Sequence, residues 1–265
     1  MNWQQIDNAR KKHIRFGERL FRRMFSVTRT QLAQQLNRAE TTGQIESIID
    51  NFIFDEDITN AFEVFYRRAG VDFAKQTYRR FKSAVGFEVK QEDTEQLVPM
   101  WEAMMAAFVL DECGVKIASV GTTHRATYKR ILDKAVQEGM NEGWGVEKVA
   151  REILKQGTRT EKWQAMRIAR TEVLSASNYG SLKGAETTGI PMQKVWLPSS
   201  SPDPREDHQA MSGERVGMND LFTLPSGERL EYPGDPSGSL EEIINCRCGV
   251  AMEPKEDIID QILQQ

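Results

Sequence analysis

The sequence predicts an α+β protein: a mainly helical N-terminal region, then a small α+β C-terminal domain with short strands and long loops. Three observations carry this. Through the first two thirds of the 265 residues, apolar side chains recur at helical spacing. After Ile190-Pro191 that period gives way to a short β-type run and a Pro/Gly-rich stretch. Two of the three cysteines and one of the three histidines, Cys246, Cys248 and His208, fall within this last region.

The elements follow in order. Phe16, Leu20 and Met24 mark a first helical stripe, which Phe21 and Phe25 widen. Ile58, Phe62, Phe65, Ala69 and Phe73 mark a second, recurring every three or four residues. Gly86 and the polar Gln91–Thr94 stretch interrupt before a Met/Ala-rich helix around Trp101–Leu110, where Met104, Met105 and Phe108 are expected to pack. A further helix runs from about Thr123, with Ile131, Leu132, Ala135 and Val136 on its buried side. Gly143 and Gly145 turn the chain into a short helix through Val149 and Ile153, which Gly157 ends.

Thr158-Arg159-Thr160-Glu161 then reads as a capping box opening a new helix, which runs to about Leu182 and stops near Gly184 or Gly189. Gln193–Leu197 reads as a strand. Pro202 to Gly238 is too irregular for helices and too long for a plain loop, so it should wrap a small β-structured core. Val250 and Ala251 make another short strand, and Glu256–Gln265 a terminal amphipathic helix. The expected division is 1–155, a helical region, and 156–265, the C-terminal domain.

Charge is unevenly spread. The net of −4 excludes a generally basic nucleic-acid binder, yet residues 1–39 carry nine Lys/Arg against Asp7 and Glu18, a net of +7. Arg10, Lys11, Lys12, Arg15, Arg19, Arg22 and Arg23 are therefore candidates to meet phosphates or an acidic protein surface; the alternative is a solvated helix face. No apolar run approaches the ~20 residues that span a membrane, so no membrane partner is expected. An apolar signal region is missing from the N-terminus, and three cysteines make no disulfide framework, which points to synthesis in a reducing cytoplasm.

The polar residues of the second half suggest a site. Thr171, Ser175 and Asn178 form a seam on one helix face, flanked by Arg170 and Glu172, and should hydrogen-bond to the loops that follow unless the face is open to solvent. Arg170 could fork between two acceptors. Asp203, Arg205 and His208 could form a carboxylate–guanidinium–imidazole network pinning a loop. Cys246 and Cys248, two residues apart, point the same way in extended chain. With His208 they offer three zinc ligands, Asp203 or Asp207 supplying a fourth. Buried structural thiols are the alternative, and a disulfide between such close neighbours is strained. A Cys246–His208 nucleophile–base pair and a metal-assisted nuclease are weaker readings, because no nucleophile elbow, P-loop or dinucleotide fingerprint accompanies them. His13 and His124 lie in charged helical surroundings and read as surface residues, Cys113 as a core thiol.

Ile168-Ala169-Arg170-Thr171-Glu172, Asn178, Trp196, Asp203-x-Arg205-x-x-His208, Gly213, Phe222, Pro233 and Asn245-Cys246-Arg247-Cys248 occur in an order that resembles the phage Mu F-like head morphogenesis family. The resemblance covers about residues 120–252. It implies a minor capsid protein of a tailed bacteriophage or prophage, located in the capsid interior or at the portal vertex and not an enzyme. Implied partners are the portal protein, scaffold or major capsid protein, and double-stranded DNA during packaging or ejection. It also implies that Arg170, Glu172, Asn178, Asp203, Arg205, His208, Asn245, Cys246 and Cys248 are motif positions, and that Zn2+ is a candidate cofactor. Two rival functions are a zinc-dependent hydrolase or nuclease on the same residues, and an ADP-ribosyl-transferring toxin suggested by Arg170 and Glu172.

Overall fold

A computed structural model describes residues 3–52, 55–199 and 205–255. Asp203 and the expected terminal helix at 256–265 lie outside these residues. Eight helices and five strands are described: α1 (Trp3–Leu36), α2 (Thr42–Asn51), α3 (Asp55–Ala84), α4 (Gln91–Glu112), α5 (Gly114–Glu142), α6 (Val146–Glu186), β1 (Met192–Leu197), α7 (Glu206–Ala210), β2 (Arg215–Gly217), β3 (Phe222–Thr223), β4 (Arg229–Leu230), α8 (Leu240–Ile243) and β5 (Gly249–Pro254). The layout is α+β: long helices, then short antiparallel strands. No helix among the described residues is long and apolar enough to cross a membrane.

Two compact units emerge, one of residues 1–13, 63–113 and 170–265, the other of 14–62 and 114–169. The position expected to divide the chain, 155/156, falls inside α6.

The first unit buries Phe65, Tyr66 and Phe73 from α3, Trp101, Met105 and Phe108 from α4, and Val173 and Leu174 from α6. Phe108 stacks on Tyr179 at 4.0 Å. Helices α3 and α6 touch backbone to backbone here, because a Cβ at Gly180 would strike the carbonyl of Gly70, and one at Gly184 that of Ala74. Larger residues at either glycine would force the helices apart. Strand β1 is the centre of a three-stranded sheet in the order β2-β1-β5, with Trp196 opposite Val250 and Val195 opposite both Ala251 and Arg215. Strands β3 and β4 form a separate pair.

The second unit packs Phe21, Phe25, Leu32 and Leu36 of α1 with Ile45 and Ile49 of α2, and with Tyr128, Leu132 and Ile153 from α5 and α6. A capping box does occur, at the start of α2, where Gln44 N–H donates to Thr41 Oγ1 at 3.2 Å and Thr41 N–H donates to Gln44 Oε1 at 3.3 Å.

The similar pattern at Thr158–Glu161 starts nothing, and Gly157 ends nothing: both lie within α6. Thr158 instead donates to Leu154 O at 3.0 Å, one turn back, and Glu161 pairs with Arg29 and accepts from Tyr128 at 2.8 Å. A Cβ at Gly157 would collide with the Tyr128 hydroxyl, so this glycine serves packing. His13 and His124, read as surface residues, are each only 1% exposed. His13 Nε2 meets Asp72 at 2.8 Å, and His124 stacks on Phe25 at 4.5 Å while its Nδ1 meets Gln164 at 2.9 Å. A partner for each imidazole let it turn inward, which a reading of neighbouring charges could not reveal. Cys113 is buried, as expected.

Candidate functional site

The site belongs wholly to the first unit. It is built on two very short helices and the coil that leads into β5. Helix α7 carries His208 and α8 carries Glu242, with Ser239 Oγ accepting from the Glu242 N–H at the start of α8. After α8 the chain turns at Asn245, a non-glycine residue with φ +59°. Asparagine tolerates this left-handed conformation better than most residues, which explains its presence at the turn. The turn sends Cys246 and Cys248 inward on either side of exposed Arg247. They alternate as expected for extended chain, although the segment is coil and β5 begins only at Gly249.

The imidazole of His208 lies between the thiols and a carboxylate. Its Nδ1 is 3.4 Å from Cys246 Sγ and 3.6 Å from Cys248 Sγ, and its Nε2 is 2.8 Å from Glu242 Oε2. Trp196 of β1 stands edge-on to the imidazole, ring centres 5.3 Å apart. His208, Cys246 and Cys248 are 1%, 3% and 2% exposed, and both cysteines are free. The Cys248 thiol is drawn down to about 5, first by its hydrogen bond with Cys246 and then by His208, against the effect of burial. Cys246 is pushed up by the same hydrogen bond and by burial. Burial works to lower His208, yet the hydrogen bond and charge of Cys248, with help from Asp207 and Glu242, hold it above its ordinary value.

These donors also suit zinc. Around a tetrahedral zinc with Zn–N and Zn–S bonds of about 2.0 and 2.3 Å, nitrogen and sulfur stand about 3.5 Å apart. All three ligand atoms lie within 4.8 Å of one another, and the carboxylate on the far imidazole nitrogen fixes the ring as a metal-bound histidine requires.

The surrounding network differs in part from the one expected. Arg205 makes no pair with His208: its guanidinium donates to the carbonyls of Glu241 and, at 2.7 Å, Ile244, closing the C-terminal end of α8. The carboxylate on His208 is Glu242, which the sequence reading missed. Its one signal, a position three residues after Ser239, is indistinguishable from a helix cap.

Arg170 is exposed and makes no side-chain hydrogen bond or ion pair among the described residues, so the fork anticipated there does not form among them. Arg10 fills that role. Placed by sequence among the surface cations, it is 6% exposed. Its guanidinium donates to Ser177 Oγ at 2.8 Å, to Asn178 Oδ1 at 2.8 Å, and to the Arg247 and Cys248 carbonyls at 3.5 and 3.4 Å. Burial lowers its pKa to about 10, and the nearby Cys246 and Cys248 oppose that shift. Nothing local marks Arg10 apart from its basic neighbours; only the fold turns it inward. Lys11, Lys12, Arg15, Arg19, Arg22 and Arg23 are exposed.

The helix seam is buried. Asn178 also donates to Pro233 O at 2.6 Å and accepts from Val250 N–H at 3.3 Å, joining α6 to the loops and to β5. Thr171 Oγ1 accepts the Asn245 N–H at 3.5 Å, so Asn245 enters the network through its backbone. Glu172 is buried and accepts the Tyr66 hydroxyl at 2.7 Å.

The chain is similar in part to known proteins. The chain is 24% identical over 224 residues to an uncharacterised protein, YqbB, of Bacillus subtilis (strain 168), covering 79% of this chain and 68% of that protein. It is 32% identical over 129 residues to the NAD(+)--arginine ADP-ribosyltransferase EFV of Enterococcus faecalis (strain ATCC 700802 / V583), covering 45% of this chain but only 26% of that enzyme. No solved structure matches with comparable significance. Residues 130–251, from within α5 through the histidine–cysteine cluster into β5, match the family described as Phage Mu protein F like protein.

Proposed function

We propose that this chain is a minor head protein of a tailed bacteriophage or prophage, made in the bacterial host and acting in head morphogenesis. The family match over residues 130–251 carries the reading, because the matched segment contains the whole His208/Cys246/Cys248 cluster. In that role, the exposed Arg15, Arg19, Arg22 and Arg23 of α1 would meet the portal protein, scaffold or major capsid protein, with double-stranded DNA as a second anionic partner. Quantitative mass spectrometry of purified heads tests the assignment. A few copies per head are expected; normal heads, at normal yield, from phage lacking the protein would overturn it. DNA contact predicts binding that weakens steeply with salt and disappears when these four arginines become glutamates.

The cluster's place in that role is structural. His208, Cys246 and Cys248 would hold one Zn2+, which when bound would cross-link α7 to the segment entering β5. Elemental analysis should find one zinc per chain, and a metal-free preparation of unchanged stability would remove the proposal. A hydrolase built on the same residues is less well supported, since the three donors are buried. Transfer of ADP-ribose, named in the enterococcal relative, finds no support in Arg170 and Glu172, one exposed and the other buried against Tyr66.

A further inference from the structure

The central part of α6 has a second surface, separate from the histidine–cysteine cluster and belonging to the second unit. Between positions 151 and 167 its exposed residues are Arg151, Lys155, Thr158, Arg159, Lys162, Trp163 and Arg167. Five are cations, and none is an acid. The two glutamates of this span are already engaged, one of them with Lys155 of the stripe itself. Glu161 is buried with Arg29 and Tyr128, and Glu152 accepts from Lys155 and Gln156 at 3.2 Å each. Arg151 has Glu147 at 3.8 Å, whereas Arg159, Lys162 and Arg167 have no ion pair among the described residues. The cations follow the helical repeat and so line one side of α6 over about 24 Å.

Amid them stands Trp163, 71% exposed, with half-buried Met166 beside it. An indole held in water on a rigid helix is an unmet hydrophobic group. Tryptophan, arginine and methionine are also the residues most enriched where proteins meet. A duplex phosphate backbone would match the cations but leave indole and thioether wet. A helix lying alongside α6 would meet both needs, with carboxylates at the same rise per turn and an apolar seam covering Trp163.

We propose that this face of α6 docks an acidic amphipathic helix of a partner protein, with Trp163 as the apolar anchor and Arg159, Lys162 and Arg167 as the flanking ion-pair donors. The inference stands on charge and exposure, and does not depend on the metal or on the head-protein reading.

The test uses the full chain and three probes. One is a helical peptide of about 20 residues with glutamates flanking a leucine seam, long enough to span the stripe. The second is the same peptide with every glutamate replaced by glutamine, and the third is a short DNA duplex. Titration should show the glutamate peptide binding at least about tenfold tighter than the glutamine form. Trp163→Ala should weaken it by about tenfold or more, and the Arg159→Glu/Arg167→Glu pair should abolish it. All three positions are exposed, so unchanged helicity and melting temperature will show that the variants are folded. The proposal fails if the glutamate peptide does not bind, if both peptides bind alike, if Trp163→Ala binds as the parent does, or if the duplex binds more tightly than the peptide.

Discussion

The guanidinium of Arg10 donates to the side-chain oxygen of Asn178 at 2.8 Å, across 168 positions of sequence. The same Asn178 oxygen accepts from Val250 N–H, and the same guanidinium holds the carbonyls of Arg247 and Cys248. One buried cation thus connects α1, α6 and the thiol-bearing segment. Replacing it strands several buried acceptors at once. Arg10→Met should therefore destabilise the protein by about 2–4 kcal/mol, measured by urea denaturation. An unchanged midpoint would show that these hydrogen bonds contribute nothing net.

Glu242 sits behind His208 and touches the imidazole nitrogen that faces away from the thiols. If zinc occupies the cluster, Glu242→Gln should retain the fold and weaken zinc binding about 10- to 100-fold. Competition with a chromophoric chelator measures this. His208→Ala should lose the metal outright and lower the melting temperature with it.

Asn245 turns with φ +59°. Glycine occupies this region without a steric penalty, whereas a β-branched residue does not. Asn245→Gly should leave stability almost unchanged, and Asn245→Val should cost about 1–2 kcal/mol or more. Equal stability of the two variants would show that the turn relaxes when the residue changes.

The contact of Gly180 with the Gly70 backbone makes a further demand. Alanine would favour the helix by propensity, yet its methyl has no room. Gly180→Ala should destabilise by about 1–3 kcal/mol, the sign opposite to that expected for an exposed helical glycine. Thermal melts of the single variant decide the sign.

His124 gives stability a pH dependence. Burial pushes its pKa down to about 4, helped by the Arg29 charge and opposed by the hydrogen bond to Gln164. In the unfolded chain the imidazole titrates near 6.5, so between these values the unfolded state binds more protons. The stability owed to neutral His124 is complete above about pH 6.5 and is lost as pH falls towards 4, by up to about 3 kcal/mol. Urea titrations across this window should show a shallower acid-side loss in His124→Gln than in the parent. Parallel curves would mean that His124 is not the group being titrated.

Much of the architecture could be read from local pattern. The stripe from Ile58 to Phe73 lies within one helix, with all five of its residues buried, and the β-type run at Gln193–Leu197 is β1. These succeed because a burial period of three to four, or of two, is written in adjacent residues. The errors also have local causes. Thr158–Glu161 has the composition of a helix start, but the packing of Gly157 on Tyr128 carries α6 straight through it. A cap signal competes with tertiary contacts, and here the contacts win.

Local pattern was enough for the order of long helices before short strands, the burial of Cys113, and the membership of His208, Cys246 and Cys248 in one C-terminal region. That Glu242 orients His208, that Arg10 is an internal cation and that Arg170 is exposed emerged only from the folded chain. The difference is one of range. Periodicity and turn chemistry act over a few residues, whereas a buried charge is tolerated only where partners from distant segments converge on it, and no pattern around residue 10 announces residues 178 and 248.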